Sequence, residues 1–175
     1  GPKRDGICEE KGLLTSWPDD GPPLAWRSKG LGGGMSSVVI GEGKLYTMGH
    51  KDGFTKLICV SLADGSPIWE TEVSQGNDPN CTPTLDPESG LVFGLSHAGT
   101  LLAADAQTGK EVWKKSFPND FGGKMMSGWG YSESPLIDGN RLICTPGSEQ
   151  AIIAALDKKT GKPIWGTPAP AGSLG

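Results

Sequence analysis

Four tryptophans, each preceded by an apolar or small residue, punctuate this chain: PLAW ending at Trp26, SPIW at Trp69, KEVW at Trp113 and KPIW at Trp165. Their spacings are 43, 44 and 52 residues, and in the last three a glycine stands four positions earlier: Gly65, Gly109 and Gly161. Asp105 and Asp157 lie eight residues before their tryptophans, where the earlier unit has Ser61. A repeat of 40–50 residues restricts a chain to stacked or radially arranged modules, because each module buries its faces against the next.

The remainder of each unit reads as short strands. Residues 36–40 (SSVVI), 81–85 (CTPTL) and 132–137 (SESPLI) supply a first strand, followed by turns rich in Gly, Asp and Asn. KLYTM, LVFGL and RLICT supply a second, TKLICVSL, TLLAADA and AIIAALD a third, and the Trp-bearing segments a fourth. Four strands per unit with turn signals between them is the pattern of a propeller blade. A helical solenoid needs amphipathic stretches of period 3.6, and none is present. A β-sandwich would also supply seven or more strands, but nothing in it calls for the same Gly-to-Trp spacing three times.

This reading gives an all-β chain of about three antiparallel four-stranded blades, an incomplete β-propeller. The expected bounds are an N-terminal segment 1–35 with a closing strand near Trp26, blade 1 over 36–73, blade 2 over 81–117, an irregular inter-blade loop 118–131, blade 3 over 132–170, and the start of a further blade at 171–175. Within the units the aspartates suit a tight Asp-x-x-Thr-Gly hairpin, whose carboxylate accepts backbone N–H groups and whose glycine takes positive φ. Trp69, Trp113 and Trp165 are expected to pack between neighbouring blades, with an acceptor for each indole N–H.

Bulk properties exclude several functions. Gly 28 and Pro 14 punctuate apolar runs and form no low-complexity tract, and six Trp call for burial. The net charge of −4 is spread without a basic stripe, so no nucleic-acid footprint exists. No apolar run reaches the ~18 residues of a membrane span. Cys8, Cys59, Cys81 and Cys144 are scattered without a CxxC pair, which leaves no zinc pattern; Cys59 and Cys144 read as small buried hydrophobes, and a disulfide stays open. Gly1 in first place and an uncapped last segment suggest a processed or partial chain, any signal peptide lying upstream.

The segments AADAQTGKEVW and AALDKKTGKPIW resemble the repeat A-x-D-x-x-T-G-K-x-x-W of the pyrroloquinoline-quinone-like propellers. That family includes quinoprotein alcohol dehydrogenases, the propeller lipoprotein of the outer-membrane barrel assembly machinery, and secreted bacterial proteins of unassigned role. Blade 1 departs from the pattern, with Ser61 for the Asp and Asp64-Gly65-Ser66 for Thr-Gly-Lys. The resemblance implies a fold and leaves activity open, since one scaffold serves catalysis and docking alike. It also implies a periplasmic or secreted location and closure with about six to eight blades. The missing blades would come from the same parent chain or from partner chains.

Loops from second to third strands and from blade to blade are expected on one face. There His50 and His97 take equivalent places in two blades, and the link between blades 2 and 3 carries Asp120, Lys124, Trp129 and Tyr131, with Glu133 just beyond. Paired imidazoles can bind a metal or move a proton, and Trp129 and Tyr131 can stack on a planar ligand or seal the top of the core. No metal-ligand constellation is fixed by spacing. The run Gly30–Gly34 precedes a strand, so it has no helix N-terminus with which to cradle phosphate. A quinone dehydrogenase would need a carboxylate base, oxygen ligands for calcium and a stacking floor. Asp120, Glu133 and Trp129 are the residues available for those roles, but the family's adjacent-cysteine pair and a C-x-x-C-H haem motif are both absent. The expected function is therefore a non-catalytic extracytoplasmic propeller binding protein or glycan on one face, with no evident cofactor. The alternative is a portion of a pyrroloquinoline-quinone- and calcium-dependent dehydrogenase whose site lies mostly in other blades.

Overall fold

The computed structural model describes residue 7, residues 9–125 and residues 127–170. Twelve strands form three four-stranded antiparallel sheets, each a simple meander. The first sheet contains β1 (Val39–Gly41), β2 (Lys44–Lys51), β3 (Phe54–Ser61) and β4 (Pro67–Gln75). The second contains β5 (Thr84–Asp86), β6 (Leu91–Leu95), β7 (Thr100–Asp105) and β8 (Glu111–Ser116), and is followed by a short helix α1 (Phe117–Phe121). The third contains β9 (Leu136–Asp138), β10 (Arg141–Cys144), β11 (Ile153–Asp157) and β12 (Pro163–Thr167). These are three propeller blades side by side. The middle blade is covered on both faces: β6 is buried along its whole length, and Val92, Phe93, Leu101 and Leu102 are wholly inaccessible.

One local device repeats. Cys59, Ala103 and Ala155 stand opposite Trp69, Trp113 and Trp165, and the strand register shifts one residue later in every blade. The hairpin before each tryptophan explains the shift. The Asp105 carboxylate accepts from Gln107 N, Thr108 N and Thr108 Oγ1, and Asp157 repeats the pattern with Lys159 and Thr160. The Thr108 and Thr160 hydrogen bonds hold both carboxyls below the usual carboxylate range. Blade 1 reaches the same turn by another route, with Asp64 accepting from Ser66 N and Oγ while Gly65 N donates to Ser61 O.

Three indoles reach the hairpin of the blade that follows them in the chain. Trp69 donates to Ala106 O (3.3 Å) and lies on Gly109; Trp113 donates to Lys158 O (3.0 Å) and lies on Gly161. Trp26 does the same to blade 1, donating to Leu62 O (2.9 Å) and covering Gly65. A Cβ on Gly109 or Gly161 would sit 2.6 or 2.8 Å from the ring, and both glycines have positive φ (73° and 68°). Only glycine satisfies both conditions without strain. Nearer the centre, Ser37 N donates to Thr82 Oγ1 (3.2 Å) and Thr82 N to Ser134 Oγ (3.1 Å), a second contact handed from blade to blade.

Three expectations need correction. The segment around Trp26 is no strand: among the described residues the N-terminal stretch makes one β-bridge, Gly33–His50, and Trp26 takes its place through its ring. The inner strands start later than read, at Val39, Thr84 and Leu136. Pro83 and Pro135 have no N–H to give a ladder, and the Ser37 and Thr82 amides are spent on neighbouring blades. The 118–131 link is not wholly irregular, since α1 occupies its start, with Ser116 as N-cap, Pro118 in the first turn and Gly122 left-handed at the C-cap. Such a helix is too short for periodicity to reveal, although its capping residues mark it. Cys8 and the 171–175 segment lie outside the described residues.

Cys59, Cys81 and Cys144 are buried and unpaired. Burial pushes their thiols up, to about 11 for Cys59 and about 12 for Cys81 and Cys144. Iodoacetamide at pH 8 should leave these three unmodified in the native protein and alkylate all of them in urea, as read by peptide mass spectrometry. Native labelling of any one would contradict the packing described.

Candidate ligand-binding cleft

The β2–β3 and β6–β7 turns and the inter-blade links meet at one end of the blades. His50 is the penultimate residue of β2, tied in place by the paired Gly33–His50 backbone bonds of 3.0 and 2.7 Å. Its Nδ1 lies 3.4 Å from Asp78 Oδ1 on the link from blade 1 to blade 2. His97 stands in the β6–β7 turn, where its carbonyl accepts from Tyr131 N (3.0 Å). Its ring lies against Gly130, where a Cβ would come within 2.5 Å of the imidazole. Asn80 Nδ2 donates to the Trp129 carbonyl (2.7 Å) and approaches Ser132 Oγ (3.2 Å), tethering the loop that carries the indole. Trp129 itself is 76% exposed. Together these groups border an open cleft of about 470 Å³, lined also by Met35, Asn77 and Gly128.

The lining holds an indole face, two imidazoles, two amides and one carboxylate. Among the described residues it contains no hydroxyl, thiol or amine side chain that could act as nucleophile, and no lysine or arginine. No cluster of three or more His, Cys, Asp or Glu suited to a metal ion occurs among the described residues. The arrangement can stack and hydrogen-bond a ligand. It supplies no assembled acid–base–nucleophile set.

The other candidates lie elsewhere. Asp120 caps α1 through Ser116 N (2.7 Å), lies 3.6 Å from Lys115 Nζ, and borders a separate groove of about 460 Å³ with Phe121 and Trp165. Lys124 takes part through its backbone, donating to Gly147 O. Tyr131 is buried: it packs edge-on against Phe117 at 5.2 Å and donates to Pro146 O (3.0 Å), and burial, then the Glu133 charge, pushes its phenol up. Glu133 is half-buried, its Oε1 shielded and without a hydrogen-bond partner. Asp120 and Trp129 thus border separate grooves, and Glu133 lines neither.

Asp78, Asn77 and Asn80 escaped the sequence reading. The signal was the run Asn77-Asp78-Pro79-Asn80, dense in polar turn-formers between two blades.

Three meander sheets joined by indole-on-glycine contacts define a propeller segment. A family model described as outer membrane protein assembly factor BamB matches residues 82–175, more than half the chain. The chain therefore belongs to that family of pyrroloquinoline-quinone-like repeat propellers. It is 25% identical over 121 residues to outer membrane protein assembly factor BamB of Escherichia coli, covering 63% of this chain and 26% of that protein. It is 24% identical over 153 residues to 1-butanol dehydrogenase (quinone) of Thauera butanivorans, covering 82% of this chain and 24% of the enzyme. The crystal structure of BamB from Moraxella catarrhalis superposes with a TM-score of 0.60 at 21% identity, covering 82% of this chain and 39% of that one. The chain spans about a quarter of the length of these two curated relatives.

Proposed function

We propose that this chain is part of a non-catalytic extracytoplasmic propeller that binds a protein or glycan on its loop face. The cleft carries this reading: an exposed indole stands among His50, His97, Asp78 and Asn80, with no nucleophile in the lining. The extracytoplasmic placement rests on the relatives described as outer membrane assembly factors. At the other end of the arc Trp165 is 43% exposed next to exposed Ile164 on the edge strand β12, and among the described residues no carbonyl accepts its indole N–H. Further blades of the same parent chain are the proposed partner of that face, repeating the contact that Trp113 makes.

A second reading, part of a quinone-dependent dehydrogenase, is favoured by the relatives that bear that name. Its cofactor site would then be built mainly from other blades, since Asp120 and Trp129 border separate grooves. Titration of the full-length protein with pyrroloquinoline quinone and Ca²⁺, followed by absorbance, separates the two. The expected result is no saturable binding. Stoichiometric uptake with dye reduction in the presence of a primary alcohol would overturn the non-catalytic reading.

A further inference from the structure

The geometry points to an uncharged saccharide as the ligand of the Trp129 cleft, an inference that rests on the loop-face reading above. Trp129 is 76% exposed, more than Trp17 at 64% and Trp165 at 43%, and unlike Trp165 it borders a cleft of polar groups. An indole face of this kind meets the C–H face of a pyranose, which is apolar and flat, whereas a peptide-binding pocket more often encloses its anchor. Around it stand planar groups that donate or accept in fixed directions: the Asn77 amide, the Asn80 side-chain carbonyl, whose NH2 is spent on Trp129 O and Ser132 Oγ, the Asp78 carboxylate, and the imidazoles of His50 and His97. Vicinal hydroxyls, each donor and acceptor at once, fit such a set.

Charge narrows the class. Phosphorylated, sulfated and uronic-acid ligands call for lysine or arginine, and among the described residues neither lines the cleft. Asp78, 61% exposed at its side chain, adds repulsion against an anion. The platform is also held before any ligand arrives. Asn80 ties the Trp129 carbonyl, and the Gly33–His50 bonds fix the opposite wall, which lowers the ordering cost of binding. The open form suits an internal stretch of a chain, entering and leaving on both sides.

The test is calorimetric titration of the full-length protein with cellohexaose, mannohexaose and chitohexaose, and with an oligogalacturonate of equal length. Saturable binding by at least one neutral hexasaccharide is expected, weakened roughly tenfold by Trp129→Ala and by Asp78→Ala, and less by Trp129→Phe. Unchanged circular dichroism confirms that each variant is folded. Preference for the oligogalacturonate, or neutral binding that survives Trp129→Ala, overturns the inference. A random peptide library displayed on phage supplies the other arm. Peptides that need Trp129, with no saccharide bound, overturn the saccharide while leaving the loop-face reading intact. If no probe engages the cleft, both readings fail.

Discussion

Replacing Trp113 by alanine should destabilise the full-length protein by about 3–5 kcal/mol, measured by urea denaturation. The ring is 9% exposed and does three things at once. It packs on Phe93 within its own blade at 5.9 Å, covers the Gly161 backbone of the next, and satisfies the Lys158 carbonyl. Truncation leaves a cavity between sheets and a carbonyl without its donor. Gly161→Ala should cost about 2–4 kcal/mol, partly from left-handed strain and partly from the ring 2.8 Å away. The two losses should not add. With the ring gone only the backbone strain remains, so Gly161→Ala in the Trp113→Ala background should cost about 1–2 kcal/mol. If the two substitutions are additive within about 0.5 kcal/mol, the indole and glycine are not in contact, and the blade-to-blade lock is wrong.

That lock was legible before any coordinates, because its parts are carried by spacing. A glycine four residues before a tryptophan, and an aspartate eight before, recur only if the same turn recurs, so strand order and blade number followed from the chain aligned on itself. The partner of each ring was less visible. Trp26 lacks the glycine hairpin, yet it occupies the same seat on blade 1, since the seat belongs to the receiving blade and is marked by Gly65. Blade 1's turn looked imperfect with Ser61, whereas Asp64, three residues on, supplies the missing carboxylate. For the cleft, the exposed indole and the two histidines could be read from loop position alone. Asp78 and Asn80 could not, because their importance comes from a second link folding over the first, which no local pattern encodes. Tyr131 and Asp120 were open to two readings for a related reason: polar and aromatic residues in a long link suit a binding site and loop packing equally well. Their burial and capping bonds decide between the two.

The least legible feature is Lys158, which at the sequence level is one more polar residue in a hairpin. It stands in the column occupied by Leu62 and Ala106 in the other blades, and its side chain is 1% exposed. Its ammonium lies 2.7 Å from Asp86 of the preceding blade, itself buried, and 3.1 Å from exposed Glu88. Burial alone would push the Asp86 carboxyl up, but the hydrogen bonds from Lys158 and Ser89 outweigh it and hold the carboxyl below its ordinary value. Burial would likewise lower Lys158, and its bonds to Asp86 and Glu88 raise it instead. Stability from Asp86 is therefore present above the ordinary carboxyl pKa and lost as pH falls through the depressed folded value. Stability from Lys158 is present below the ordinary lysine pKa and lost as pH rises through the raised one. Lys158→Met removes the cation and strands Asp86 between two sheets, a loss of about 3–5 kcal/mol at pH 7. The deficit relative to wild type should shrink toward pH 3.5. There the stranded carboxyl, no longer held down by an ammonium, takes up a proton and stops paying for its charge. Asp86→Asn combined with Lys158→Met should likewise recover part of the loss at pH 7, because an amide needs no counter-ion. Urea denaturation of the three proteins at pH 7 and pH 3.5 measures both effects. A Lys158→Met deficit that is equal at the two values would mean that Asp86 carries no buried charge, and that the contact between blades 2 and 3 at this point is one of packing alone.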